Sequence, residues 1–257
     1  MLNIQDGRYV SPDLRRSGIA MLIPSLVFYV NFLWLVLRSG FIAWRGRYDD
    51  KMWEESSRSV IRMLEAIGVK IEVEGFENIE KVKGPVIFIG NHMSMMETLV
   101  LPSLIRPFKP VTFVIKESLL HYPVFKYIMA SRNPIAVSRT SPRQDLKTVL
   151  TEGCARLENG ISVIVFPQTT RALQFKPEQM SSIGVKLAQK AKAAVIPVAL
   201  KTDAWQNGTL LKDFGRITRR KKTRFAFGQP ITVEGKGTTE QELINTFIAS
   251  KLKEWED

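Results

Sequence analysis

The 257-residue chain has few of the residues that build metal and disulfide sites. A single cysteine, Cys154, excludes an intramolecular disulfide framework and any multi-cysteine zinc or iron–sulfur site. There are only two histidines, His92 and His121, so any imidazole chemistry must use one of those two rings. These scarcities leave few ways to bind a metal, and the lone thiol suits a reducing, cytosol-facing compartment.

Acidic residues are also in deficit, with 25 Asp and Glu against 37 Lys and Arg, for a net charge of +12. A basic domain favours an anionic partner such as nucleic acid, an anionic membrane surface or a phosphorylated substrate. The densest basic cluster, residues 216–224, has no interleaved aromatic residues and no nucleic-acid module around it. We therefore expect a solvated face there, with membrane-surface contact as the alternative, and no nucleic-acid partner.

Residues 19–37 carry no charge and are close to the roughly 20 residues that a helix needs to cross a bilayer. Pro24, Ser25 and Asn31 interrupt the stretch, and basic residues are equal on its two sides, so no orientation follows. The segment can span the bilayer or lie in one leaflet, and a buried core helix is the alternative. A cleaved signal peptide fits poorly. We predict that residues 1–66 form N-terminal membrane-binding helices.

Residues 67–257 alternate short β-branched runs with helical patterns, which predicts one α/β domain with a mostly parallel central sheet flanked by helices. The predicted strands are 69–73, 85–90, 110–116, 134–139, 161–167, 194–202 and 224–233. The predicted helices are 52–67, 95–104, 118–130, 143–158, 181–193 and a closing helix from 239.

His92 and Glu97 lie in GNHMSMMETL (90–99), which leaves a hydrophobic strand and enters a predicted helix. Residues five apart on a continuous helix lie about 140° from each other, so the pair meets only if His92 precedes the helix. One imidazole nitrogen would then be held by the carboxylate, and the other could take a proton from a hydroxyl. A capping histidine without a catalytic role is the alternative.

A second polar turn, IVFPQTTR (164–171), also follows a predicted strand. Arg171 in this turn could bind a phosphate through two parallel hydrogen bonds, although a surface arginine is the alternative. Lys116 and Arg139 end two further predicted strands. Because the carboxyl ends of parallel strands meet at one edge of a sheet, we expect these basic residues to converge beside His92 and bind a phosphate.

Four stretches together resemble the glycerophospholipid acyltransferases, in particular the lysophosphatidate acyltransferase group. NHMSMMET resembles the family mark N-H-x4-D, and FPQTTR resembles F-P-E-G-T-R. Residues 116–139, with a Lys, a Pro and a strand ending in Arg, resemble the family's second block, and VIPVAL (195–200) resembles its fourth. The blocks occur in the family's order across residues 70–202.

The resemblance implies that His92 deprotonates the hydroxyl of a lysophospholipid, which attacks the thioester of acyl-CoA or acyl-carrier protein. It implies that Glu97 orients and charge-stabilises this histidine. The residues that it assigns to substrate binding are Lys116, Arg139, Gln168, Thr169, Thr170 and Arg171. No metal and no bound cofactor is expected, and the catalytic domain would face the cytoplasm from the membrane.

Four residues depart from the family pattern, and one of them is Lys126, which stands where the second block often has a Gly. Glu97 replaces an Asp and adds one methylene, Gln168 replaces a Glu, and Thr169 replaces a Gly. These changes leave phosphate binding by Arg171 in place but bear on which acceptor is selected. The first hypothesis is therefore an O-acyltransferase that converts lysophosphatidate to phosphatidate, with another lysolipid or a lyso-aminolipid as the acceptor left open. The second is a non-catalytic protein that binds anionic lipid on the same fold.

Overall fold

The computed structural model describes residues 2–13, 18, 22–209 and 211–256. Arg15, Arg16 and residues 19–21, which belong to the predicted apolar segment and its basic flank, lie outside the described residues. The strands in the described part are β1 (Arg8–Val10), β2 (Ile71–Glu74), β3 (Ile87–Gly90), β4 (Val111–Lys116), β5 (Ile135–Val137), β6 (Ser162–Val165), β7 (Val195–Lys201) and β8 (Thr223–Phe227). The α-helices there are α1 (Pro24–Trp44), α2 (Asp50–Ala66), α3 (Phe76–Glu80), α4 (Met96–Ile105), α5 (Phe125–Ala130), α6 (Pro142–Glu158), α7 (Ile183–Ala191) and α8 (Thr238–Glu254).

The strands form one eight-stranded sheet in the order β1-β2-β8-β7-β3-β6-β4-β5. Only the β1–β2 and β7–β8 pairs are antiparallel, and the five other pairs are parallel. The predicted fold class, a mostly parallel sheet flanked by helices, is confirmed. Because β3 is parallel to both β6 and β7, the polar turns that follow these three strands meet at one edge of the sheet.

The core lies on both faces of the sheet, because successive side chains of a strand point to opposite sides. Phe88 of β3 belongs to the cluster beneath α1, α2 and α4. Its neighbours Ile87 and Ile89 belong to the cluster beneath α6, α7 and α8. Both faces of β3 are therefore buried, which explains why its sequence reads as an uninterrupted apolar run.

Helix α1 is continuous over 21 residues, with Pro24 in its first turn, where the missing N–H costs nothing. Asn31 does not break it, since its Nδ2 donates to the Val27 carbonyl at 2.8 Å. At Gly40 an added Cβ would lie 2.3 Å from Cγ1 of Val124, so glycine allows the start of α5 to pack against α1. Helix α1 is long and apolar enough to cross a membrane.

Two predicted elements differ from the structure, and two observed elements were not predicted. The predicted helix 118–130 is a 3₁₀ turn, Glu117–His121, followed by α5, because Pro123 interrupts the helical hydrogen bonds. The predicted strand 224–233 ends at β8, and beyond it only an isolated bridge joins Ile231 to Val195. Strand β1 and helix α3 were not predicted, since three and five residues are too short for a periodic pattern. The division of the chain at residue 66 stays a prediction.

Candidate active site

His92 lies in the turn between β3 and α4, which is the placement that its spacing from Glu97 requires. The turn is attached to the neighbouring strand by Asn91. Its Nδ2 donates to the Leu200 carbonyl at 2.8 Å, and its Oδ1 accepts from the Leu200 N–H at 2.9 Å. These two hydrogen bonds fix the main chain at the end of β3 and therefore the position of the next residue, His92.

The Glu97 carboxylate is fully buried and is surrounded by donors. It accepts from the N–H of Met93 at 2.8 Å, from the N–H of Ser94 at 2.9 Å and from the hydroxyl of Thr202 at 2.5 Å. The additional methylene of Glu, relative to Asp, lets the carboxylate fold back over the turn that precedes its own helix. These donors stabilise the ionised carboxylate and restrict its orientation.

Oε2 of Glu97 lies 3.4 Å from Nδ1 of His92. The contact is longer than a normal hydrogen bond, and Nδ1 makes no other hydrogen bond with the described residues, so the attraction is mainly electrostatic. The carboxylate nevertheless faces Nδ1, which leaves Nε2 as the nitrogen that can exchange a proton with a substrate. Contacts of this kind are commonly long in the absence of substrate and shorten in the reactive complex.

The turn after β6 contacts the ring, the N–H and the carbonyl of His92. The Phe166 ring stacks on the imidazole, with 4.5 Å between centroids and 7° between planes. Oε1 of Gln168 accepts from the N–H of His92 at 2.5 Å, and the N–H of Ala172 donates to the His92 carbonyl at 2.9 Å. Two of the predicted polar turns are therefore joined directly.

Arg139 and Arg171 lie near each other, as the convergence argument predicted. Nη1 of Arg139 donates to the Thr169 carbonyl at 2.7 Å. Burial lowers the pKa of Arg139, and the nearby positive charge of Arg171 lowers it further, while Asp145 opposes both effects. The Arg139 guanidinium remains charged at neutral pH despite these influences on its pKa.

Lys116 does not share these contacts. It lies exposed at the carboxyl end of β4, on the same edge of the sheet, and within the described residues no contact joins it to either arginine. Thr170, at the end of the third block, accepts a hydrogen bond from Nζ of Lys212 at 2.6 Å. The structure therefore brings together two of the three predicted basic residues and adds a lysine that was not predicted.

A cavity of about 420 Å³ opens beside His92 and Arg171. Most of its wall is apolar and comes from α1, α2, β4, α4 and α5. Representative lining side chains are Phe32, Val36, Trp53, Leu99, Phe113 and Ile128. A histidine and an arginine therefore share one cavity with a surface that suits a long hydrocarbon chain.

Besides Lys212, four polar residues at the site were not predicted: Thr202 and Ser94 beside Glu97, and Asn207 and Asp213 beside Arg171. Thr202 directly follows β7, and the rule that polar residues after parallel strands meet at one edge could have found it. Asn207 and Asp213 lie in an irregular connection whose path has no periodic signal. In the part of the chain that the structure describes, no group of three or more His, Cys, Asp or Glu side chains is placed to hold a metal.

The fold and these contacts define a class of α/β protein, in which a histidine–carboxylate pair and a basic group lie beside an apolar cavity at the carboxyl edge of the sheet. A model of the Acyltransferase family matches residues 70–201, just over half of the chain. The chain belongs to that family.

Two relatives and one solved structure illustrate the similarity. The 1-acyl-sn-glycerol-3-phosphate acyltransferase of Pseudomonas aeruginosa is 34% identical over 132 residues, which cover 51% of this chain and 49% of the relative. The chloroplastic 1-acyl-sn-glycerol-3-phosphate acyltransferase LPAT1 of Arabidopsis thaliana is 28% identical over 132 residues, which cover 51% of this chain and 36% of the relative. The matched region therefore spans about half or less of the length of these relatives.

The crystal structure of the 1-acyl-sn-glycerophosphate (LPA) acyltransferase PlsC from Thermotoga maritima superposes with a TM-score of 0.70 and 21% sequence identity. The superposition covers 92% of this chain and 96% of that one. At this level of identity the likeness establishes the shared fold.

Proposed function

We propose that this protein is a membrane-bound O-acyltransferase that moves a fatty acyl group from a thioester donor to the free hydroxyl of lysophosphatidate. The observation that carries the proposal is the contact of His92 with the fully buried Glu97 carboxylate, beside a cavity that Arg171 and apolar side chains also line. The names of the relatives, each a 1-acyl-sn-glycerol-3-phosphate acyltransferase, support this acceptor. The donor is acyl-CoA or acyl-carrier protein.

The proposed reaction uses His92 as the general base. Nε2 accepts the proton of the acceptor hydroxyl while that oxygen attacks the carbonyl carbon of the thioester. The tetrahedral intermediate collapses with cleavage of the C–S bond, and the imidazolium returns its proton to the departing thiolate. The products are the new ester and the free thiol of the donor. Glu97 stabilises the imidazolium between the two proton transfers.

Arg171 and Arg139 supply the positive charge that would hold the acceptor phosphate near this base. An arginine can bind two phosphate oxygens at once, which orients the phosphate as well as attracting it. The apolar wall would hold the acyl chain away from water, and burial of each methylene contributes about 0.8 kcal/mol. Lys116 would then act at the rim of the site, because it is exposed at the same sheet edge.

We further propose that α1 lies in one leaflet rather than crossing the bilayer. Its buried side chains, including Phe28, Phe32 and Ala43, pack against the rest of the protein, so one face is unavailable to lipid. Its exposed apolar residues recur every three or four positions and form a stripe of Leu26, Val30, Leu33, Trp34, Leu37, Phe41 and Trp44. Because the opposite face packs against the protein, only this stripe is free to enter the hydrocarbon of a bilayer. The active site would then face the cytoplasmic side of the membrane.

The decisive experiment is a thioester-cleavage assay on the membrane-reconstituted full chain. Lysophosphatidate and lysolipids with other head groups are offered with both acyl-CoA and acyl-carrier protein. We expect acceptor-dependent turnover that falls at least about a hundredfold in His92→Ala, because the base is lost. The matched control is His121→Ala, which removes the other histidine, an exposed residue of the 3₁₀ turn.

Arg171→Ala tests whether Arg171 binds the acceptor or the acyl donor. We expect the acceptor KM to rise more than the donor KM, since the lost contact is to phosphate. An equal rise in both values contradicts the phosphate role. Near-normal turnover in His92→Ala contradicts the mechanism, and stoichiometric binding of anionic lipid without turnover by folded wild-type protein favours the non-catalytic alternative.

A further inference from the structure

Arg171 is already paired with an acidic side chain. Its Nη2 forms an ion pair with Oδ1 of Asp213, and its Nη1 donates to Oδ1 of Asn207 at 3.2 Å. The side chains of Arg171 and Asp213 are 19% and 23% exposed, so the pair is only partly screened by water. A carboxylate therefore contacts the guanidinium to which the acceptor phosphate is assigned.

Asp213 faces the reaction chamber. It lines the same cavity as His92 and Arg171, and the next residue, Phe214, does so as well. Only one oxygen of Asp213 contacts the guanidinium. A phosphate presents three oxygens and more negative charge, and can make two parallel hydrogen bonds to one arginine. A phosphomonoester can therefore compete with the Asp213 carboxylate for the Arg171 guanidinium.

Asp213 belongs to a segment that contacts both the site and α1. We name residues 211–217 the latch segment. Lys212 of this segment donates to Thr170 at 2.6 Å, on the side of the site. On the side of α1, the hydroxyl of Tyr29 donates to the Gly215 carbonyl at 2.5 Å. The N–H of Ile217 donates to the hydroxyl oxygen of Ser25, also in α1, at 3.0 Å.

The main chain at Asp213 is held independently of its carboxylate. Nε1 of Trp205 donates to the Asp213 carbonyl at 3.2 Å. The indole ring of Trp205 packs edge-on against Phe28 and Phe32 of α1. A rotation of the Asp213 side chain can therefore release Arg171 without unfolding the segment.

We propose that Asp213 is an internal competitor for the acceptor phosphate. The latch segment keeps Arg171 neutralised while the acceptor site is empty, and the phosphate of the entering lysolipid takes the place of the carboxylate. The segment is also hydrogen-bonded to α1, the helix with the exposed apolar stripe. The inference rests on the proposed function, since it concerns the acceptor of that reaction.

Asp213→Asn tests the competitor role because it removes the charge and keeps the size of the side chain. We expect the acceptor KM to fall about fivefold, the fold-change typical of losing a partly screened ion pair. The donor KM should not change. Glu152→Gln is the matched control, since it also removes one negative charge, from a pair with Arg156 on α6. A rise in the acceptor KM of Asp213→Asn would make Asp213 a residue that positions Arg171, and would overturn the proposal, as would an unchanged value.

A binding measurement separates this inference from the proposed function. Glycerol 3-phosphate is titrated calorimetrically into wild type, Asp213→Asn and Arg171→Ala of the full chain. We expect tighter binding by Asp213→Asn and no binding by Arg171→Ala. Equal or weaker binding by Asp213→Asn overturns the latch, whether or not any lysolipid is turned over. Failure of acceptor-dependent turnover in the wild type overturns the proposed function alone.

Tyr29→Phe gives a second route if Asp213→Asn does not fold. It removes the hydrogen bond to Gly215 and keeps the ring packed against Phe214. We expect a fall of about twofold in the acceptor KM, since a looser latch segment competes less well. Circular dichroism and thermal unfolding establish that each variant is folded, and an acceptor KM that is unchanged or higher in folded Tyr29→Phe counts against the latch.

Discussion

Gln168 contacts the main chain of His92, not the wall of the cavity. The side chain is 3% exposed, and its Oε1 accepts from the N–H of His92 at 2.5 Å. Its Nε2 is buried and has no hydrogen-bond partner within the described residues. Together with the stacked Phe166 ring, this contact restricts where the imidazole can point. The geometry therefore favours an effect of Gln168 on the position of His92 over direct contact with a substrate.

Gln168→Leu distinguishes these two roles. If His92 is the general base as proposed, we expect kcat to fall about tenfold with little change in the acceptor KM, because Gln168→Leu would misplace His92 and leave Arg171 unchanged. Gln168→Glu retains an oxygen acceptor for the His92 N–H and should recover most of the turnover. Steady-state kinetics for both substrates provide the measurement. An acceptor KM that rises while kcat holds would instead support the substrate-binding role that the family resemblance implies.

At the scale of elements, the N-terminal strand β1 is attached by a buried carboxylate. Strand β1 pairs with β2, and Glu65 of α2 accepts from the hydroxyls of Tyr9 at 2.5 Å and Ser11 at 2.6 Å. The Ser11 oxygen also accepts from the N–H of Ile71 at 2.9 Å. These contacts join α2, β1 and β2 far from the candidate active site.

Tyr9→Phe should lower the free energy of unfolding by about 1–3 kcal/mol, because a buried acceptor loses a donor. Urea denaturation measures this change, and Tyr127→Phe is the control at an exposed tyrosine. We expect no change in kcat for either variant. A loss of turnover in folded Tyr9→Phe would contradict the assignment of Tyr9 to stability alone.

The same contact predicts a dependence on alkaline pH. Burial, and then the hydrogen bond to Glu65, raise the pKa of Tyr9 above its ordinary value near 10. A raised pKa in the folded state means that this contribution to stability is present below about pH 10 and is lost as the pH rises beyond it. Wild type should therefore lose stability above about pH 10 more steeply than Tyr9→Phe.

Across the molecule, the apolar stripe of α1 and the net charge of +12 both favour binding to an anionic membrane surface. Trp34 and Trp44 are exposed on this stripe, and the guanidinium of Arg38 lies 5.6 Å from the Trp34 ring centroid. Indole rings favour the membrane interface, and arginines favour anionic head groups. We therefore expect the proposed membrane contact of α1 to be strongest on an anionic bilayer.

The double variant Trp34→Ala, Trp44→Ala should bind vesicles containing phosphatidylglycerol at least about tenfold more weakly, since two large apolar side chains are lost from the interface. Vesicle sedimentation at low and high salt provides the measurement. The control is Leu243→Ala, an exposed apolar residue on α8. Unchanged binding by the double variant would exclude α1 as the membrane contact.

Features of the fold and the site that depend on short stretches of sequence could be predicted, and features that depend on distant residues could not. The turn placement of His92 came from a five-residue spacing, and the convergence of Arg139 and Arg171 came from the rule for parallel strands. The interruption at Pro123 was missed because a helical pattern on both sides outweighed one residue. Strand β1 was missed because its pairing with β2, about sixty residues away, leaves no periodic trace in three residues.

The alternation of strands and helices, the apolar helix and the order of the polar turns can be predicted from the sequence, because each depends on residues near one another in the chain. The groups that complete the site cannot, because they meet only in the folded protein. Thr202 reaches Glu97 because β7 lies beside β3, and Phe166 stacks on His92 because β6 lies on the other side of β3. Asp213 meets Arg171 through an irregular connection. Such contacts depend on strand order and loop path, which local periodicity does not encode.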